Sequence, residues 1–178
     1  MKTFTQRLVS IVLFGASWLL GAGAHADTYI LEVVLFSQPS AQWQQAEPPH
    51  WSWADQATLL EQSARSNLRG IDSSRHQLQR DAERLTGNGY QVLLHRAWEQ
   101  PADPDLQVAV HAGESRGDLY PAQGLVSLSS QGALQVDLEF WLNRDQGSEH
   151  LQQSRRLRLN ETHYLDHQSL GMLVRVWR

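Results

Sequence analysis

Apolar positions fall in three kinds of pattern along the chain. Tyr29 to Phe36 is an almost unbroken apolar run, interrupted only by Glu32. A run of that length predicts a strand buried on both faces, central in its sheet. Ala133 to Leu142 alternates strictly. Leu134, Val136, Leu138, Phe140 and Leu142 point one way, and Gln135, Asp137, Glu139 and Trp141 the other. Alternation predicts one face on the core and one toward water. Gly124 to Ser129 precedes it, and Ser130-Gln131-Gly132 supplies the turn of a hairpin. Tyr90 to Trp98 reads as a further strand, with Val92 and Leu94 opposed to Leu93 and Ala97, and Leu106 to Val110 as a short one. From Arg155, Leu157 and Leu159 alternate with Arg156 and Arg158 as a strand. After a polar turn at Asn160-Glu161 come His163-Tyr164-Leu165, a charged elbow at Asp166 to Ser169, Gly171, and a closing apolar strand from Met172 to Trp177.

Helical spacing occurs between Ser73 or Ser74 and Thr86, where Leu78, Ala82 and Leu85 share a face. Ser73 is placed to cap this helix, and Gly87-Asn88-Gly89 to end it. A shorter helix is expected over Asp55 to Ser66, through Ala57, Leu60 and Ala64. Ser37 to Trp53 has no period, and Pro48-Pro49 forbids a helix across it, so it reads as a long loop lying on the domain. Gln100 to Asp105 and His111 to Gln123 read as loops, and Asn143 to Glu149 as a second turn. Together these elements predict an α+β fold: a mostly antiparallel sheet with one principal helix, and a short second one, packed on one face.

Composition changes the picture mainly at the N-terminus. Lys2 and Arg7 precede an apolar stretch, Leu8 to Leu20, and Ala24-His25-Ala26 forms an Ala-x-Ala site, so residues 1–26 are expected to be a signal peptide. Residues 27–178 are then a single exported domain, periplasmic and without a membrane anchor after cleavage. The chain has no cysteine, which excludes a lipid-modified Cys, a disulfide and a thiolate metal site. Removing Lys2 and Arg7 from 15 cations leaves 13, all arginine, against 19 acids, a net charge of −6. Nucleic acid is a poor partner for such a chain.

Several groups could carry chemistry. Glu32 is costly inside an apolar strand unless paired. It either meets an Arg of a neighbouring strand, sits near the sheet end, or helps shape a polar site. Trp43, Trp51 and Trp53 either stack on a sugar face or fold back to cover the sheet. His163 and His167 would share a face only in a helix. The flanking strands and Gly171 argue for a turn instead, so no metal site is expected there, and Asp166 is expected to accept backbone N–H bonds. Asp137 and Glu139 share an open sheet face rather than flanking a cleft, which does not suit glycoside hydrolysis. Neither a phosphate loop nor a His-Glu-x-x-His occurs, and the chain is expected to be no enzyme and to need no cofactor. Arg155, Arg156 and Arg158 form a basic stripe in an acidic chain, available to ligand carboxylates or to cross-strand pairing with Asp137 and Glu139.

The order of these features resembles the CsiV family of periplasmic peptidoglycan-binding proteins of Gram-negative bacteria. The resemblance rests on the strand Tyr29 to Phe36, the segment Ala97-Trp98-x-Gln100-Pro101 and the hairpin Gly124 to Leu142. The Arg-rich strand and the closing His163-Tyr164-Leu165-Asp166-His167-x-x-Leu170-Gly171 complete it. One position departs: Gln168 stands where the family tends to have proline, which implies a looser elbow. The resemblance implies a non-enzymatic periplasmic protein that binds peptidoglycan in cell-wall biogenesis. It also implies support for a class A penicillin-binding synthase through its outer-membrane lipoprotein activator. Trp98, Trp141, Arg156, Arg158, Tyr164, Asp166 and His167 are the residues expected to bind. The rival expectation is a protein-interaction adaptor that touches no glycan and makes its contact through the Trp43 to Trp53 loop.

Overall fold

The computed structural model describes residues 27–39 and 43–178; the expected signal peptide lies outside the described residues. Among the described residues ten strands and one α-helix follow one another: β1 (Thr28–Ser37), β2 (Thr58–Leu59), β3 (Arg69–Gly70), α1 (Gln79–Gly87), β4 (Gln91–Pro101), β5 (Asp103–Ala112), β6 (Ala122–Ser129), β7 (Gln135–Arg144), β8 (Gly147–Arg156), β9 (Thr162–His167) and β10 (Leu170–Trp177). They form two five-stranded sheets, ordered β3-β4-β1-β10-β9 and β2-β5-β6-β7-β8. Every pairing is antiparallel except that of β2 with β5. The sheet-rich, mostly antiparallel character with one α-helix matches the reading of the sequence; the division into two sheets does not.

One core cluster joins the sheets. Leu31, Val33 and Leu35 of β1 meet Trp98, Met172 and Val174 of their own sheet, and Val108, Val126, Leu138 and Phe140 of the other. β1 is apolar on both faces because it is central and both faces are covered. Its alternate residues Val34 and Phe36 lie in a second cluster with Leu78 and Ala82 of the helical segment.

Four local expectations need correction. The stretch expected as a loop between Gln100 and Asp105 is a tight link: β4 runs to Pro101 and β5 starts at Asp103, carrying the chain from one sheet into the other. No helix spans Asp55 to Ser66; β2 is followed by one 3-10 turn, Leu60–Gln62. Leu59 enters a cluster with Trp141 while Leu60 enters the main core, and adjacent residues buried on opposite sides require extended backbone. The principal helix starts later than Ser73. Ser73–Arg75 is a 3-10 turn whose cap is Asp72, accepting the Ser74 N–H at 2.8 Å. The chain then bends so that the N–H groups of Gln77 and Leu78 reach the Glu32 carboxylate at 2.7 and 3.1 Å. Finally, the Arg-rich strand stops at Arg156. Leu157 is buried and its N–H bonds to the Leu134 carbonyl, but Leu159 is 41% exposed, and Asn160 turns the chain at φ 63°.

The C-terminal elbow is a tight hairpin, with His167 opposite Leu170. Gln168 adopts φ 42°, which the proline ring cannot reach. Gln168 therefore suits this turn, where proline would not. Gly171 belongs to β10 rather than to the turn. It is needed for space: a Cβ there would lie 2.5 Å from Cζ of Phe36.

Candidate functional site

Two hydrogen bonds link the chain of β8 and just beyond it to β9, an edge strand of the other sheet. The Gln153 amide donates to the Asp166 carbonyl at 2.8 Å, and the Arg158 N–H donates to Nε2 of His163 at 3.0 Å. Beyond this contact Ser154, Arg155, Arg156, Arg158, Glu161 and His163 line an open groove of about 640 Å³. Pairing of the stripe with Asp137 and Glu139 is not made. The register sets Ser154 opposite Asp137 and Gln152 opposite Glu139. The Ser154 hydroxyl donates to Asp137, and Glu139 lies 3.0 Å from Nε2 of His150. Arg158 approaches Glu161 at 3.8 Å, whereas Arg155 and Arg156 have no acidic partner in ion-pair range among the described residues. The groove thus presents guanidinium groups free to meet carboxylates.

Tyr164 and Asp166 lie on the other side of β9. Tyr164 is half exposed, its ring parallel to Phe36 with centroids 6.3 Å apart. Asp166 accepts the Tyr164 hydroxyl at 2.8 Å and the Gln38 amide at 2.8 Å, so side chains, not the expected backbone N–H groups, hold it. Burial and the neighbouring Asp166 carboxylate push the Tyr164 hydroxyl up to about 12. His167 alternates to the opposite face, near Glu149. Glu149 is 2% exposed in a cavity of about 410 Å³ shared with Trp43, Arg144 and Ser169. Burial pushes its carboxyl up, and Ser169, Arg144 and His167 partly offset this.

The two tryptophans expected to bind are not surface groups. Trp98 is 0% exposed in the inter-sheet core and donates its indole N–H to Gln100 at 2.6 Å. Trp141 is buried on the outer side of the second sheet. It stacks on His150 at 4.9 Å, beneath Trp53, Ala54 and Ala57. That part of the Trp-rich loop covers the sheet, while Trp51 stays 68% exposed. The seven expected residues therefore do not converge. Arg156 and Arg158 share the groove, Tyr164 and Asp166 share a corner, His167 faces Glu149, and both tryptophans are packed away.

The most convergent polar cluster forms around Glu32, which the sequence offered as one part of a polar site without its histidine partners. Glu32 is 0% exposed, and its partners are histidines rather than the expected arginine: Nε2 of His95 at 2.6 Å and Nδ1 of His76 at 3.8 Å. Arg175, opposite Glu32 on β10, turns instead to Gln77 and Thr162. The two imidazole rings are 4.5 Å apart. Burial, then the neighbouring His95, lowers the pKa of His76; Glu32, the Ile71 backbone and Asp72 act the other way. One carboxylate and two imidazoles at such distances can share a proton or hold a cation. The three residues come from a strand, a turn before a helix and another strand, so no local spacing announces them.

Among the described residues no helix is long and apolar enough to cross a membrane. No curated protein and no solved structure matches the chain. A family model described as "Peptidoglycan-binding protein, CsiV" matches residues 7–178. The chain belongs to the CsiV family of peptidoglycan-binding proteins.

Proposed function

We propose that the protein binds peptidoglycan in the periplasm without chemical turnover, as a single domain released from its signal peptide. The family match over residues 7–178 carries this reading. The groove beside β8 supports a location: Arg156 and Arg158 offer planar forks to the carboxylates of stem peptides, and Arg155 adds a third cation. Tyr164, 51% exposed and held by Asp166, offers a ring edge and a hydroxyl on the adjacent corner. His167 would act only through the neighbouring cavity, and Trp98 and Trp141 support the fold. In this role the protein would assist a class A penicillin-binding synthase and its outer-membrane lipoprotein activator, as the resemblance to the family implies.

Cosedimentation with purified sacculi tests the proposal. Wild-type protein is expected in the pellet, and the Arg156→Ala/Arg158→Ala variant largely in the supernatant with an unchanged melting temperature. Wild-type protein that stays in the supernatant would refute binding. Equal pelleting of the variant would refute the groove alone. A second reading, an adaptor for another protein, draws on the exposure of Trp51. It predicts crosslinks from the Trp43 to Trp53 loop that survive muramidase digestion.

A further inference from the structure

We infer that Glu32, His76 and His95 form a binding site for one divalent transition-metal ion of the zinc class. The ligand atoms are a carboxylate oxygen of Glu32, Nδ1 of His76 and Nε2 of His95, all within 4.8 Å of one another. Imidazole nitrogens with a carboxylate are a donor set that zinc and its neighbours favour over calcium or magnesium. The spacing fits such an ion. Tetrahedral bonds of about 2.1 Å hold ligand atoms about 3.4 Å apart. The separations from Oε1 of Glu32 are 2.6 Å to His95 and 3.8 Å to His76, one shorter and one longer than that value. Loading would move the His95 nitrogen out by about 0.8 Å and the His76 nitrogen in by about 0.4 Å.

The state of His76 argues for a cation beyond a shared proton. One proton between Glu32 and His95 satisfies that pair at 2.6 Å. The His76 side chain is only 9% exposed, yet its Nδ1 has no hydrogen-bond partner among the described residues and lies 3.8 Å from the same carboxylate oxygen. A buried nitrogen of that kind calls for an explanation, and a bound ion is one of the standard ones. The carboxylate is also oriented from behind, by the Gln77 and Leu78 N–H groups, as the outer partners of metal ligands orient them.

Beside the two rings lies a cavity of about 480 Å³, bounded also by Glu61, Ser73, Gln79 and Arg96. It provides an entry path and leaves a fourth position for water or a ligand group. The ion would tie β1, β4 and the turn before α1 together at one point, on a part of the molecule separate from the arginine groove.

Isothermal titration of the purified, chelator-treated protein with zinc chloride tests the site. One equivalent is expected, with a rise in melting temperature on loading. His76→Ala should weaken binding by more than about 100-fold, beyond the loss that follows removal of an outer partner. The His163→Ala/His167→Ala variant should keep the full equivalent. X-ray absorption of the zinc-loaded wild type, which needs no variant, should report two imidazoles and oxygen ligands. Absence of saturable binding, binding unchanged in His76→Ala, binding lost in His163→Ala/His167→Ala, or a spectrum without two imidazoles would each overturn the inference.

Discussion

Adding a single methyl group at Gly171 tests how the C-terminal hairpin is fitted to the first sheet. Gly171 lies opposite Phe36 in the β1–β10 register. A Cβ built there would stand 2.5 Å from Cζ and 2.6 Å from Cε2 of the Phe36 ring. Carbon atoms prefer about 3.5–4.0 Å, so the ring must retreat by about 1 Å. It has little room: Phe36 is 2% exposed, with Tyr90 edge-on at 5.6 Å and Tyr164 stacked at 6.3 Å. Overpacking of this kind costs about 1–3 kcal/mol, and replacing a strand glycine by alanine returns roughly 0.5–1 kcal/mol. The net loss for Gly171→Ala should be about 1–2 kcal/mol, or roughly 2–8 °C in melting temperature for a domain of this size. Thermal unfolding followed by circular dichroism measures it. Phe36→Leu removes the ring, so the glycine substitution should cost far less in that background, with a coupling energy of at least about 0.5 kcal/mol. The reasoning fails if Gly171→Ala melts within about 1 °C of wild type, or if the same loss persists beside Phe36→Leu.

Three further outcomes follow from the polar groups at these sites. His95→Ala takes the closest partner from a fully buried Glu32 and should destabilise by about 3 kcal/mol in guanidinium unfolding; a loss under about 1 kcal/mol would refute the pairing. The carboxyl of Glu149 is raised by burial, so the folded state holds its proton more firmly than the unfolded one, and its contribution falls as pH rises above the ordinary glutamate range. Glu149→Gln should therefore be more stable than wild type at neutral pH, with the advantage shrinking as pH falls toward about 4.5 and lost below it in melts run across pH; a gap that widens in acid would refute this. In an alkaline absorbance titration Tyr164 should be among the last tyrosines to ionise, near 12, and Asp166→Asn should bring it down; an unchanged curve would refute the Asp166 contribution.

Local pattern fixed the strands themselves. The continuous apolar run of β1 states that both its faces are covered, and the strict alternation of β7 marks the face it turns to the core, because side-chain direction in a strand repeats every second residue. The Arg156 and Arg158 stripe and the exposed Tyr164 were also visible, as polar or aromatic positions beside such patterns. Assembly was not visible. Pro101 suggested a loop, yet it ends a strand at the sheet border, opposite Thr28, and the chain crosses there from one sheet to the other. Trp98 and Trp141 both looked available for a ligand. The second sheet buries one and the Trp53 segment covers the other, and burial of that kind depends on partners distant in sequence. Glu32 declared a need for a partner without naming it. His76 and His95, 44 and 63 residues away, reach it because α1 and β4 pack on β1, and many weak burial contacts summed over the whole chain place them there.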